Sequence, residues 1–170
     1  TIVVAASASV SPAMWYIAIE PKLAIIRSAT LRASAIAADH VLRGLENAAR
    51  RIARTLSVSD RDVAPSTALR RALVRDERSL PGPARELARK LPDAPHRRML
   101  GLAAHRLAAT RTRSRGAYDD PRDFVADLDV LQRSLDVGGA PSLAWGELQH
   151  LRWQAETFGF HLAEMEVRQH

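Results

Sequence analysis

A helical repeat running through most of the chain constrains its fold more than any other feature. Ala38, Leu42, Leu45, Ala49, Ile52 and Leu56 recur three and four residues apart, while Arg43, Glu46, Arg50 and Arg54 fall on other faces. One side of a 3.6-residue helix collects the first set, so the spacing predicts a long amphipathic helix over about residues 31–57. "SVSDRDVAPS" then reads as a polar loop, with Ser66 capping a short helix through about Arg75. Pro81, Pro83, Pro92 and Pro95 punctuate the next stretch, leaving room for one short helix with Pro83 in its first turn. A further helix is expected over 95–113, with Met99, Leu102 and Leu107 inward. "RTRSRGAYDDPRD", dense in charge and broken by Gly116, reads as a linker. Asp120-Pro121 is a cap followed by a first-turn proline, and Phe124, Leu128, Leu131 and Leu135 form the stripe of the helix it starts. Gly138-Gly139 stop that helix, and a last one is expected over 142–157, ended by Gly159.

Beyond Gly159 the period changes to two. Leu162, Glu164, Glu166 and Arg168 fall on one face of an extended segment, with Ala163, Met165 and Val167 on the other. A strand leaves its backbone N–H and C=O groups open until a neighbouring strand accepts them. This one therefore pairs with something at the N-terminus, or its partners lie elsewhere. The fold class expected is mainly α with one C-terminal β-strand.

At 170 residues the chain is about one domain long and can bury a core. Its 46% hydrophobic and 26% charged residues argue against global disorder. It has no cysteine, which excludes disulfides, thiolate metal sites and cysteine nucleophiles. A net charge of +6 raises nucleic acid as a partner to weigh. However, the 25 cations include only two lysines, Lys22 and Lys90. Arginine-for-lysine usage of that kind is the mark of a compositional habit, so a nucleic-acid role is the weaker expectation. The apolar run over 2–10 is too short for a bilayer, which needs about 20 apolar residues, and has no preceding positive charge. It reads as neither a targeting segment nor a membrane span.

Chemistry-bearing clusters are sparse. Among His40, His96, His105, His150, His161 and His170 there is no His-x-x-x-His pair for zinc. Helical His40 and His105 read as solvent-facing or satisfied by hydrogen bonds. No glycine-rich phosphate loop and no nucleophile elbow is present. "RTRSR" at 111–115 offers phosphate-binding charge or a solvated linker, with the linker preferred in the absence of interleaved aromatics. Glu164, Glu166 and Arg168 are either a salt-bridged surface or a charged cluster at a barrel strand end. Pattern alone favours the surface.

The closing stretch "LRWQAETFGFHLAEMEVRQH" resembles the phosphoenolpyruvate carboxylase family, which carries a comparable "L-R-x-v-x-x-F-G", then "h-L", then "(I/V)-R-Q". Leu151, Arg152, Phe158, Gly159, Leu162, Val167, Arg168 and Gln169 carry the likeness, in a form similar to the bacterial, actinobacterial branch. Upstream, "AIAADHVLRGLENAARRIARTLSVSD" resembles the long helix that follows the family's glycine-rich "G-G-D-R-D-G-N-P" segment. "PHRRMLGLAAHRLAAT" and "YDDPRDFVADLDVLQRSL" resemble its helical insert before a barrel strand. The likeness spans residues 30–170, read as a partial carboxylase domain. Residues 1–29 form an atypical segment with none of the glycine-rich motif, as a disrupted reading frame or a false start would leave.

The resemblance implies a helical segment of a phosphoenolpyruvate carboxylase-type α/β barrel with one C-terminal strand. It implies a cytoplasmic, homotetrameric enzyme that carboxylates phosphoenolpyruvate with bicarbonate, using Mg²⁺ or Mn²⁺, and has no membrane partner. One functional residue carries over: Arg168 matches the arginine that binds the phosphate of phosphoenolpyruvate. The family's histidine motif, lysine, mobile arginine–glycine loop and metal-binding carboxylates fall outside these residues, so no catalytic or metal-ligating residue is assigned within them. The isolated chain is expected to be inactive. The readings from residues alone that stand beside this are a basic helical module for nucleic acid and a piece that folds only against a partner.

Overall fold

Five of the nine prolines stand as the first residue of a helix, where the missing N–H costs nothing and the fixed φ suits the first turn. The computed structural model describes the backbone of residues 12–160 and the side chains of residues 32–160. Within those limits all regular structure is helical: α1 (Pro12–Thr55), α2 (Thr67–Ser79), α3 (Pro81–Lys90), α4 (Pro95–Thr112), α5 (Pro121–Val137), α6 (Pro141–Ala144) and α7 (Glu147–Phe158). No strand occurs among the described residues. The strand expected after Gly159, with Glu164, Glu166 and Arg168, lies outside them.

The chain divides into two units, Thr1–Ile36 and Ala37–His170. In the first, the described backbone is the opening part of α1. The helix thus begins at Pro12, well before the repeat that announces it at about residue 31. No glycine interrupts the sequence there, and once a helix is nucleated each added residue closes one more hydrogen bond.

The second unit holds the core. Leu42, Leu45, Ala49 and Ile52 of α1 are buried with Leu69 and Leu73 of α2, and with Met99, Leu100, Leu102, Ala103 and Leu107 of α4. Phe124, Leu128, Leu131 and Leu135 of α5 and Leu148, Leu151 and Ala155 of α7 complete it. α5 packs against α2, α4, α6 and α7, and α4 packs against α2 and α3. Both caps read from the sequence form. Ser66 Oγ accepts the N–H of Leu69 at 3.1 Å, and Asp120 Oδ1 accepts that of Arg122 at 2.7 Å.

Two expectations are corrected. The helix expected over 142–157 is two helices, broken at Trp145-Gly146, where Gly146 takes φ −90, ψ −123. The break is bridged by a buried side chain: Gln132 of α5 donates to the Ala144 carbonyl at 3.0 Å and to Gln149 Oε1 at 2.7 Å. The charged "RTRSRGAYDDPRD" is not an open linker. It begins inside α4, ends in α5, and buries Tyr118 to 3% exposure between them.

Candidate functional site

The charged group with the most contacts sits under α2. Asp127 of α5 is almost fully buried, and its Oδ1 accepts from Arg75 Nη2 at 2.7 Å. Its Oδ2 accepts from Arg106 Nη1 at 3.1 Å and from the Tyr118 hydroxyl at 2.9 Å. Asp76, fully buried, takes Arg75 Nε at 2.9 Å through Oδ1, with Arg106 Nη1 at 3.6 Å from the same oxygen. The Arg106 guanidinium lies 3.8 Å from the Tyr118 ring centroid. Two carboxylates and two guanidiniums thus cancel in charge while joining α2, α4, α5 and the loop between the last two.

Burial and the neighbouring Asp127 charge raise the Asp76 carboxyl above the ordinary range, and burial raises the Tyr118 phenol well above its own. Shifted carboxylates can mark catalytic acids. Here both are enclosed and committed to arginines, so the arrangement acts as a clamp between helices. It cannot hold a divalent cation either, since two guanidiniums already occupy the carboxylates. Among the described residues no three His, Asp or Glu side chains converge on a metal-sized site.

A second polar group pairs His96 with Ser134. Both are buried, with Nε2 and Oγ 3.0 Å apart, and Ser134 Oγ also accepts the Ser66 N–H at 2.9 Å. Burial drives the His96 pKa down to about 4, so the ring is neutral at pH 7. A nucleophilic pair requires solvent access and a group orienting the second ring nitrogen. His96 Nδ1 has no partner and neither residue reaches the surface. The pair serves packing: it ties the start of α2 to α4 and α5. Neither group was found from the sequence, where Asp76, Asp127 and His96 look like ordinary polar helix positions.

Of the other histidines, His40 is exposed, His105 is half-buried, and His150 is exposed and stacked on Trp153 with centroids 5.6 Å apart. His161 and His170 lie outside the described residues. In "RTRSR", Arg111 reaches back to α1, 3.6 Å from Asp39 and 3.8 Å from Glu46. Arg113 takes the left-handed conformation that ends α4, and Arg115 is exposed.

The first half of the closing motif is well defined. Leu151 is buried in the core, and Arg152 holds α7 to α5 through Asp129 at 2.9 Å while also meeting Glu156 at 2.9 Å. Phe158 is 48% exposed. Gly159 then takes φ +54, ψ −130, a conformation essentially reserved for glycine. That turn seats Phe160 in the core beside Tyr118, with ring centroids 6.4 Å apart. Leu162, Val167, Arg168 and Gln169 lie outside the described residues, so the phosphate-binding role of Arg168 is taken up below.

A family model described as phosphoenolpyruvate carboxylase matches residues 24–170. A phosphoenolpyruvate carboxylase of Xanthomonas campestris pv. campestris is 36% identical over 118 residues, covering 69% of this chain and 13% of that protein. One of Nitrosomonas europaea is 35% identical over 158 residues, covering 86% of this chain and 16% of its own length. One of Rhodopseudomonas palustris is 41% identical over 104 residues, covering 50% and 11%. No solved structure matches. The chain belongs to the phosphoenolpyruvate carboxylase family. It spans 13% to 16% of the length of the curated relatives with the broadest matches.

Proposed function

We propose that the chain is the helical segment of a phosphoenolpyruvate carboxylase. The parent reaction joins bicarbonate carbon to phosphoenolpyruvate, breaks the enol phosphate ester and yields oxaloacetate and phosphate. The observation that carries this is the family match over 24–170, which includes the closing "VRQ". In this reading residues 161–170 form a strand of the α/β barrel and Arg168 binds the substrate phosphate. A guanidinium offers a planar fork of donors that fits phosphate oxygens. The described helices supply the support: Arg152 fixes α7, and Gly159 redirects the chain toward residues 161–170. Exposed Trp153 and Phe158 on α7 fit a helix that packs against further parts of a larger protein.

The parent enzyme would be a cytoplasmic homotetramer using Mg²⁺ or Mn²⁺. The described residues do not fit that ion, so its ligands would come from elsewhere in the parent. Among them, too, no helix is long and apolar enough to cross a membrane. One arginine contributes about 3 kcal/mol at most to phosphate binding. Even modest catalysis needs about 8 kcal/mol of barrier reduction. The purified 170-residue chain is therefore expected to form no oxaloacetate above a mock preparation, and turnover above it would refute this reading.

A further inference from the structure

Cations on this chain's helices commonly stand one turn from an acid. Arg43 pairs with Asp39 and Arg50 with Glu46 on α1, Lys90 with Glu86 on α3, Arg133 with Asp129 on α5 and Arg152 with Glu156 on α7. The outer face of α2 departs from that rule. Arg70, Arg71, Arg75 and Arg78 are all exposed there around Val74, itself 48% exposed. The acids of α2 lie elsewhere: Asp76 is buried beneath, and Glu77 lines the opposite flank beside Pro81 and Arg85. Arg71 and Arg75 are four residues apart and Arg75 and Arg78 three, spacings at which like charges weaken a helix.

These residues and Thr67 line one open groove of about 530 Å³. Arg75 is its fixed point. Asp76 and Asp127 hold its guanidinium from below, and the rest of the side chain lines the groove. An occupant must neutralise four guanidiniums and cover an apolar centre. α2 has 13 residues, a length of about 20 Å, which suits a helix of three to four turns. A phosphodiester backbone answers the charges but has nothing for Val74, and this groove has no aromatic ring on which a base could stack. A second copy presenting the same face is opposed by like charge.

We propose that the outer face of α2 docks an acidic amphipathic helix of a protein partner, its carboxylates on Arg70, Arg71, Arg75 and Arg78 and an apolar side chain on Val74. Arginine forks take carboxylates in bidentate geometry, and charge complementarity sets the register.

The test titrates the 170-residue chain into a fluorescent helical peptide of about four turns, with glutamates flanking a central leucine, and follows anisotropy at low and physiological salt. Saturable binding that weakens with salt is expected. Arg71→Glu/Arg78→Glu should weaken it by about tenfold or more, and Val74→Ser by about threefold. Arg122→Glu, on the first turn of α5, should leave it unchanged, with circular dichroism showing every variant folded. Absence of binding at low salt would overturn the proposal, as would an equal loss in Arg122→Glu. So would an oligonucleotide that binds more tightly than the peptide and is indifferent to Val74→Ser.

Discussion

Asp127 accepts hydrogen bonds from donors on α2, α4 and the intervening loop, so removing its charge strands two guanidiniums and a phenol at once. Losing one partner of a buried pair is costly, and Arg75 being half-exposed softens the effect. Asp127→Asn is expected to lower unfolding free energy by about 2–3 kcal/mol in urea titrations, while Asp39→Asn on the open face of α1 leaves it nearly unchanged. Equal effects would contradict the clamp. His96 gives a pH dependence. Its folded pKa of about 4 lies below the 6.5 of an exposed ring, so the unfolded chain takes the proton first as pH falls. Stability from this group is complete above pH 6.5 and is lost toward pH 4, to a total of about 3 kcal/mol. Asp76 works in the opposite sense, because its raised pKa lets the folded state take up the proton first. That contribution is common to wild type and His96→Gln, so their stability difference should shrink by about 2–3 kcal/mol between pH 7 and 4.5. A difference that stays constant would place the ring in solvent. None of this was legible in the sequence: Phe124, Leu128, Leu131 and Leu135 announce the buried face of α5, but whether Asp127 beside them is buried depends on what α2 and α4 bring to it.

At the level of elements, punctuation read more reliably than length. Ser66 and Asp120 are found capping as their spacing indicates, because a cap is a local arrangement of one side chain and the N–H groups just after it. The extent of α1 and the break between α6 and α7 were not legible. The first rests on helix propagation through residues without a periodic face. The second is held open by Gln132, which comes from another helix. Gly159 was read as a stop and does more, since its positive φ turns the chain so that Phe160 meets Tyr118. Gly159→Ala should therefore cost about 1–2 kcal/mol in thermal or urea unfolding, through backbone strain. Gly44→Ala is the contrasting case. It lies inside α1 with nothing within 4 Å of a new Cβ, and should stabilise by about 0.5–1 kcal/mol. The same sign for both would mean that Gly159 does not need its conformation.

For the whole molecule, the helical class and the family were legible, because the closing motif couples core positions such as Leu151 to a specific "VRQ" ending. The match over 24–170 and the 13% to 16% share of its longest-matched relatives make the chain a small, helix-rich part of the family's full length. The purpose proposed for these helices is to support a single phosphate-binding arginine. The most direct test replaces the corresponding segment of a full-length relative with residues 30–170 and measures oxaloacetate formation. The chimera is expected to retain turnover, and Arg168→Ala within it to lower kcat/KM by about a hundredfold, close to 3 kcal/mol of lost transition-state binding. A chimera that works equally well with Arg168→Ala would contradict the account.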